Sequence, residues 1–151
     1  MKFYEVYTDP GYIESDGQHS IVQASDKGSP CKWKGLNNKK KRVIKYRVDG
    51  GIITSMAESK CDYAVYVEGD AIYLIELKGA NYNHALEQID ATLDKLIKTP
   101  GIETSSVNGR IVLTRGRVPG IKYSKEASLE KKLKKLNGSL DSKTRIFEEE
   151  I

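Results

Sequence analysis

Residues 61–67 (CDYAVYV) and 71–78 (AIYLIELK) flank Glu68-Gly69-Asp70. Aromatic and β-branched runs on either side of a short glycine turn spell a β-hairpin. Both runs are apolar at odd and even positions alike. Side chains alternate faces along a strand, so both faces of this hairpin must be covered, as in the central strands of a layered domain. The second run ends in charge. Glu76 and Lys78 fall two residues apart, on one face, with Ile72 and Leu74 behind them. With a three-residue loop at 68–70, Val67 faces Ala71 and Asp62 faces Glu76; a two-residue loop puts Asp62 opposite Leu77. Opposed Cβ atoms lie roughly 5 Å apart, so either register gathers Asp62 and Glu76 at one end of the hairpin.

The flanking chain fits a mixed sheet with helices on its faces, an α/β (α+β) arrangement. Residues 42–48 alternate as a strand and stop at Asp49-Gly50-Gly51, with 52–55 as a continuation. Residues 83–98 carry Leu86, Ile89, Leu93, Leu96 and Ile97 at helical spacing, from an Asn83 cap to Thr99-Pro100-Gly101. A buried strand is expected over 110–114. An amphipathic helix follows over 125–136, with Leu129, Leu133 and Leu136 inward and Gly138 as its stop, then an edge strand over 145–148. The N-terminal part, 1–41, is the least legible. Strands are expected at 2–8 and 18–24, and 29–41 reads as a loop. A length of 151 residues suits a single domain with one substantial core.

Composition narrows the class. No apolar run approaches the roughly 20 residues of a membrane span, and residues 1–10 (MKFYEVYTDP) lack the apolar core of a secretory leader, so a cytoplasmic protein is expected. Cys31 and Cys61 are too few for a disulfide framework and lack zinc-ligand spacing, as do His19 and His84; both thiols read as packing residues. Lys and Arg number 25 against 21 Asp and Glu. The excess is concentrated in Lys32, Lys34, Lys39, Lys40, Lys41, Arg42, Lys45 and Arg47, with no acid among them. That block suits a polyanion, and Trp33 and Tyr46 within it add faces for stacking on bases. A solvated loop is the plainer alternative.

Two carboxylates at one hairpin end repel unless a cation sits between them. A hard divalent ion, Mg²⁺ or Mn²⁺, suits Asp62 and Glu76, with the Leu77 carbonyl as a third oxygen. Lys78 stands where it could orient or deprotonate a water, or stabilise charge on an attacked phosphate. This pattern, KCDYAV…YLIELKG followed by a helix with Gln88, resembles the PD-(D/E)XK nuclease superfamily over about 42–114. It is closest in texture to small stand-alone and Holliday-junction-resolvase-like members. The resemblance implies a restriction-endonuclease-like αβββαβ core and Mg²⁺-dependent hydrolysis of phosphodiesters in DNA. Asp62 matches the acid of the second core strand, Glu76 and Lys78 the acid-x-Lys of the third, and Gln88 the polar residue of the following helix. It further implies a homodimer, as many members use to cut two strands. Cys61 replaces the signature proline. The helix glutamate that many members place before the first core strand has no clear counterpart; Glu5, Glu14 and Asp49 are candidates by position. The alternative is a nuclease fold without catalysis, a nucleic-acid-binding or protein-interaction module tied to a mobile element or phage defence.

Overall fold

In the computed structural model, which describes residues 1–77, 81–116 and 124–151, the hairpin is the centre of a six-stranded sheet. Its members are β1 (Ile13–Gly17), β4 (Val43–Arg47), β5 (Tyr63–Val67), β6 (Ala71–Leu77), β7 (Ser106–Leu113) and β8 (Leu140–Thr144), ordered β1-β4-β5-β6-β7-β8. The first four pair antiparallel, while β7 and β8 join parallel to β6. A second sheet holds β2 (Ile21–Ser25), β3 (Lys32–Leu36) and β9 (Ile146–Glu150), with β3 in the middle. The domain is therefore mixed α/β with a mixed-orientation sheet.

Alternation along the hairpin explains the layers. Ala64, Tyr66, Ile72 and Leu74 face one side, where they pack with Leu86 and Ile89 of α2 (Tyr82–Leu93) and Leu129 and Leu133 of α3 (Ser124–Lys135). Tyr63, Val65, Ile75 and Leu77 face the other, against Val22, Trp33 and Phe147 of the small sheet. The expected helices cover one face of the sheet, and a three-stranded sheet covers the other. No described helix is long and apolar enough to cross a membrane.

The hairpin has the three-residue loop, with Val67 opposite Ala71 and Tyr63 opposite Ile75. Gly69 at φ +95° and Asp70 at φ +72° make the reversal, a conformation that glycine and aspartate adopt more readily than other residues.

Several expectations are corrected. Residues 2–8 hold a short helix, α1 (Phe3–Val6), in place of a strand; its Phe3 is buried in the main core. The expected loop over 29–41 contains β3, whose alternation of half-buried Lys32 and Lys34 with buried Trp33 is a strand pattern carried by lysines. Residues 52–55 add only an isolated bridge, Asp49 to Ile53. Helix α2 is capped by Asn81, whose side chain accepts from the His84 N–H at 3.0 Å, and not by Asn83. Its last turn, Asp94–Lys98, widens to a π-helix. β7 begins at Ser106, earlier than its apolar run suggests, and β1 and β8 were not expected. Gly138 does follow α3, for a reason beyond chain reversal: a Cβ there would lie 1.7 Å from the Val107 carbonyl oxygen.

Candidate functional site

The carboxyl ends of β6 and β7 lie side by side, with Leu77 paired to Val112. Arg47 of β4 pairs with Tyr63 at the start of β5, so this end of the sheet also receives the chain leaving β4 and the chain entering β5. Asp62 is the residue just before β5. Its carbonyl accepts from the N–H groups of Val48 (3.0 Å) and Asp49 (3.4 Å), and its own N–H donates to the Ile75 carbonyl at 3.1 Å. The Leu77 N–H donates to Asp62 Oδ2 at 2.8 Å. Asp62 is thus fixed by main-chain bonds from β6 on one side and from the residues just past β4 on the other. Leu77 reaches the site through its N–H.

Glu76 follows Ile75 in the ladder and is only 8 % exposed. Its Oε1 is buried without a hydrogen-bond partner. Burial, and then the Asp62 carboxylate beside it, push the Glu76 carboxyl up to about 10. Burial also raises Asp62, opposed by the Leu77 N–H, while the charge of Asp26 adds to the rise. The structure therefore brings Asp62 and Glu76 together, as their spacing predicts. An orphaned acceptor beside a second carboxylate offers only oxygen donors, which fits a hard divalent cation. Among the described residues no cluster of three or more Asp, Glu, His or Cys forms a ready metal cage. Lys78 lies outside the described residues.

Helix α2 holds the segment leading into Asp62. Gln88 Oε1 accepts from the Lys60 N–H at 2.7 Å. Buried Thr92 accepts from the Cys61 N–H and donates to the Gln88 carbonyl, both at 2.8 Å. Gln88 is a positioning residue in this geometry, two main-chain steps from Asp62, and its amide also meets His84 at 3.3 Å. Sequence reasoning missed Thr92, which has the spacing of core on an amphipathic helix. It also missed Lys60, whose ammonium is buried and donates to the carbonyls of Ser55 (2.8 Å) and Glu58 (3.0 Å), with Asp49 Oδ1 at 3.8 Å. Asp49 is exposed, but its charge contributes to the rise of Asp62.

In front of Asp62 opens a cleft of about 630 Å³ whose walls include Glu14, Asp26, Arg47, Asp49 and Tyr63. Asp26 follows β2, where the Tyr63 hydroxyl donates to its Oδ1 at 3.4 Å. It lies far from Asp62 in sequence, and no local pattern marks it. Of the other acids singled out by position, Glu14 reaches the cleft, whereas Glu5 caps α1 by accepting from the Lys2 N–H at 2.7 Å.

The basic block divides. Trp33 is 0 % exposed and donates its indole N–H to Glu149 at 2.8 Å, so it offers no face to a base; Tyr46 is equally buried. Arg42 pairs with Asp16 at 2.9 Å, while Lys45 (3.3 Å) and Arg47 (2.8 Å) share Glu14. These three cations are spent against β1. Lys32, Lys34, Lys39, Lys40 and Lys41 form no ion pair among the described residues; Lys39 and Lys41 border a separate hollow with Glu150 and Ile151. No protein-family model matches the chain, and neither a curated protein nor a solved structure matches it.

Proposed function

We propose that the chain is a PD-(D/E)XK-type nuclease, a Mg²⁺- or Mn²⁺-dependent endonuclease acting on DNA. The observation that carries this reading is the buried, unpartnered Glu76 Oε1 set against Asp62 at the carboxyl end of β6. The order β4-β5-β6-α2-β7 supports it: an antiparallel meander, a crossover helix and a parallel return strand, as a restriction-endonuclease-like core requires.

Asp62 and Glu76 would hold the metal. When bound, Mg²⁺ would lower the pKa of a coordinated water and neutralise charge on the phosphate. Asp62, fixed by the Leu77 N–H and by the main chain just past β4, would meet the ion with little reorganisation. Glu76 would surrender its proton on metal entry. Lys78 is assigned to the water or the developing phosphorane, and Gln88 and Thr92 keep Asp62 in place.

The test is cleavage of plasmid and branched DNA with Mg²⁺ or Mn²⁺. Asp62→Ala, Glu76→Ala and Lys78→Ala should each lose at least about a hundredfold in rate, the scale of removing a principal electrostatic or acid–base group. Equal activity in wild type and variants would overturn the assignment. One observation favours the second reading, a fold retained without hydrolysis: a protonated Glu76 beside Asp62 relieves the repulsion with no cation present. Calorimetry separates the two readings, because an inactive module would show no heat of Mg²⁺ binding up to millimolar concentration.

A further inference from the structure

We propose that Lys32, Arg115 and Arg145 form the surface that takes the phosphate backbone of duplex DNA beside the Asp62–Glu76 site; this deepens the nuclease reading and rests on it. The three residues come from distant parts of the chain and are joined by one corner. After β8 the chain turns at Arg145 and enters β9, passing from the large sheet to the small one. The Arg145 N–H donates to the Leu113 carbonyl at 2.8 Å, and the Arg145 carbonyl accepts from the Lys32 N–H at 2.7 Å. Leu113 directly follows Val112, the partner of Leu77. Arg115 lies two residues further on, and Lys32 opens β3. The corner therefore sets three cations at the sheet end where Asp62 and Glu76 meet.

What sets this rim apart from lysines equally unpaired among the described residues, such as Lys34, Lys131 and Lys134, is its place at the Asp62–Glu76 end of the sheet; two further features bear on its role. Arg145 has φ +66°, a left-handed conformation that glycine or asparagine adopts at lower cost. A long cation stands where the backbone favours a small residue, and its side chain is exposed. In addition, none of the three forms an ion pair among the described residues, unlike Arg42, Lys45 and Arg47. Charge without an internal partner, beside a carboxylate site built to face a phosphodiester, complements a phosphate backbone. The small sheet would then lie along the duplex, with Lys32 as the contribution of the 32–47 block, whose Arg42, Lys45 and Arg47 are neutralised.

The experiment compares two triple variants of equal charge change. One is Lys32→Gln, Arg115→Gln, Arg145→Gln. The other is Lys131→Gln, Lys134→Gln, Lys135→Gln, at exposed lysines of α3. That end of the helix is remote from the site: the Leu136 carbonyl accepts from the N–H of Val107, near the start of β7. Binding of a fluorescent duplex is measured across a salt series in chelator, and cleavage is measured separately with Mg²⁺. The rim triple should weaken binding at least about tenfold and flatten the log–log salt slope by about 2–3, close to 0.9 per lost phosphate contact; the α3 triple should keep the wild-type slope. Unchanged emission of the single tryptophan, Trp33, verifies folding, and Arg115→Gln alone serves if the triple fails that check. Equal weakening in both triples, or no duplex binding by wild type, overturns the proposal. Binding lost at the rim in a protein that never cleaves upholds the rim and removes the hydrolytic reading. Cleavage that depends on Glu76 but is indifferent to the rim triple does the reverse.

Discussion

Glu76 holds a proton because ionising it would strand a charge in the core next to another carboxylate. That has a measurable consequence for the metal-free protein. The carboxyl titrates near its ordinary 4.5 in the unfolded chain and at about 10 in the fold. Below 4.5 both states are protonated and stability is fully present. Between these values the unfolded chain has released a proton that the folded chain retains. Stability therefore falls as pH rises, by at most about 1.4 kcal/mol per unit. Glu76→Gln should remove most of this slope and leave the variant more stable than wild type at pH 8, as read from urea midpoints at pH 5 and pH 8. Equal slopes in the two proteins would refute the buried, protonated Glu76. Asp62 and Glu76 were legible in the sequence because strand alternation and a three-residue turn suffice to pair them. Trp33 was not, since lysines on either side of it suggest solvent while the strand turns only those lysines outward.

Helix α2 and the segment entering β5 act as one unit through Thr92 and Gln88. Thr92→Val keeps the shape but leaves the Cys61 N–H buried without its acceptor, which should cost about 1–3 kcal/mol. Thr92→Ser should recover most of that in chemical denaturation; a neutral Thr92→Val would mean the bond does not hold the segment. The link between α3 and β8 is controlled by contact with β7. Gly138→Ala would drive a Cβ into the Val107 carbonyl, whereas Gly116→Ala meets nothing within 4 Å. Overpacking of this kind costs about 1–3 kcal/mol, so Gly138→Ala should lower the thermal midpoint well below that of Gly116→Ala, and matching midpoints would refute the close approach. Elements with apolar periodicity could be read from the chain: β4 to β7, α2 and α3. β1, β3 and β8 could not, because they are short and rich in polar residues. Their pairing depends on partners far away in sequence, β3 with β9 being the extreme case.

The molecule as a whole is held by strands that belong to two cores at once. Alternate residues of β5 and β6 enter the helix-side core and the small-sheet core, so neither side can lose its packing without exposing the hairpin. An internal ion pair ties the outer layer down. Arg110 of β7 meets Glu149 of β9 at 2.8 Å, and Glu149 also accepts from the Trp33 indole of β3. Removing one partner of such a pair leaves the other uncompensated, at about 3–5 kcal/mol when it is fully buried. Arg110 keeps bonds to the carbonyls of Gly109 and Ser139, so the lower end of that range is expected for Glu149→Ala. The shared strands decide how the loss appears. Trp33 emission follows the small sheet and far-ultraviolet circular dichroism follows the helices on the opposite face, so the two probes read opposite layers. If the hairpin couples the layers, Glu149→Ala shifts both transitions together to lower denaturant and they remain coincident. A variant in which Trp33 emission moves to the red while the helical signal keeps its wild-type midpoint would instead make the small sheet a separately opening unit.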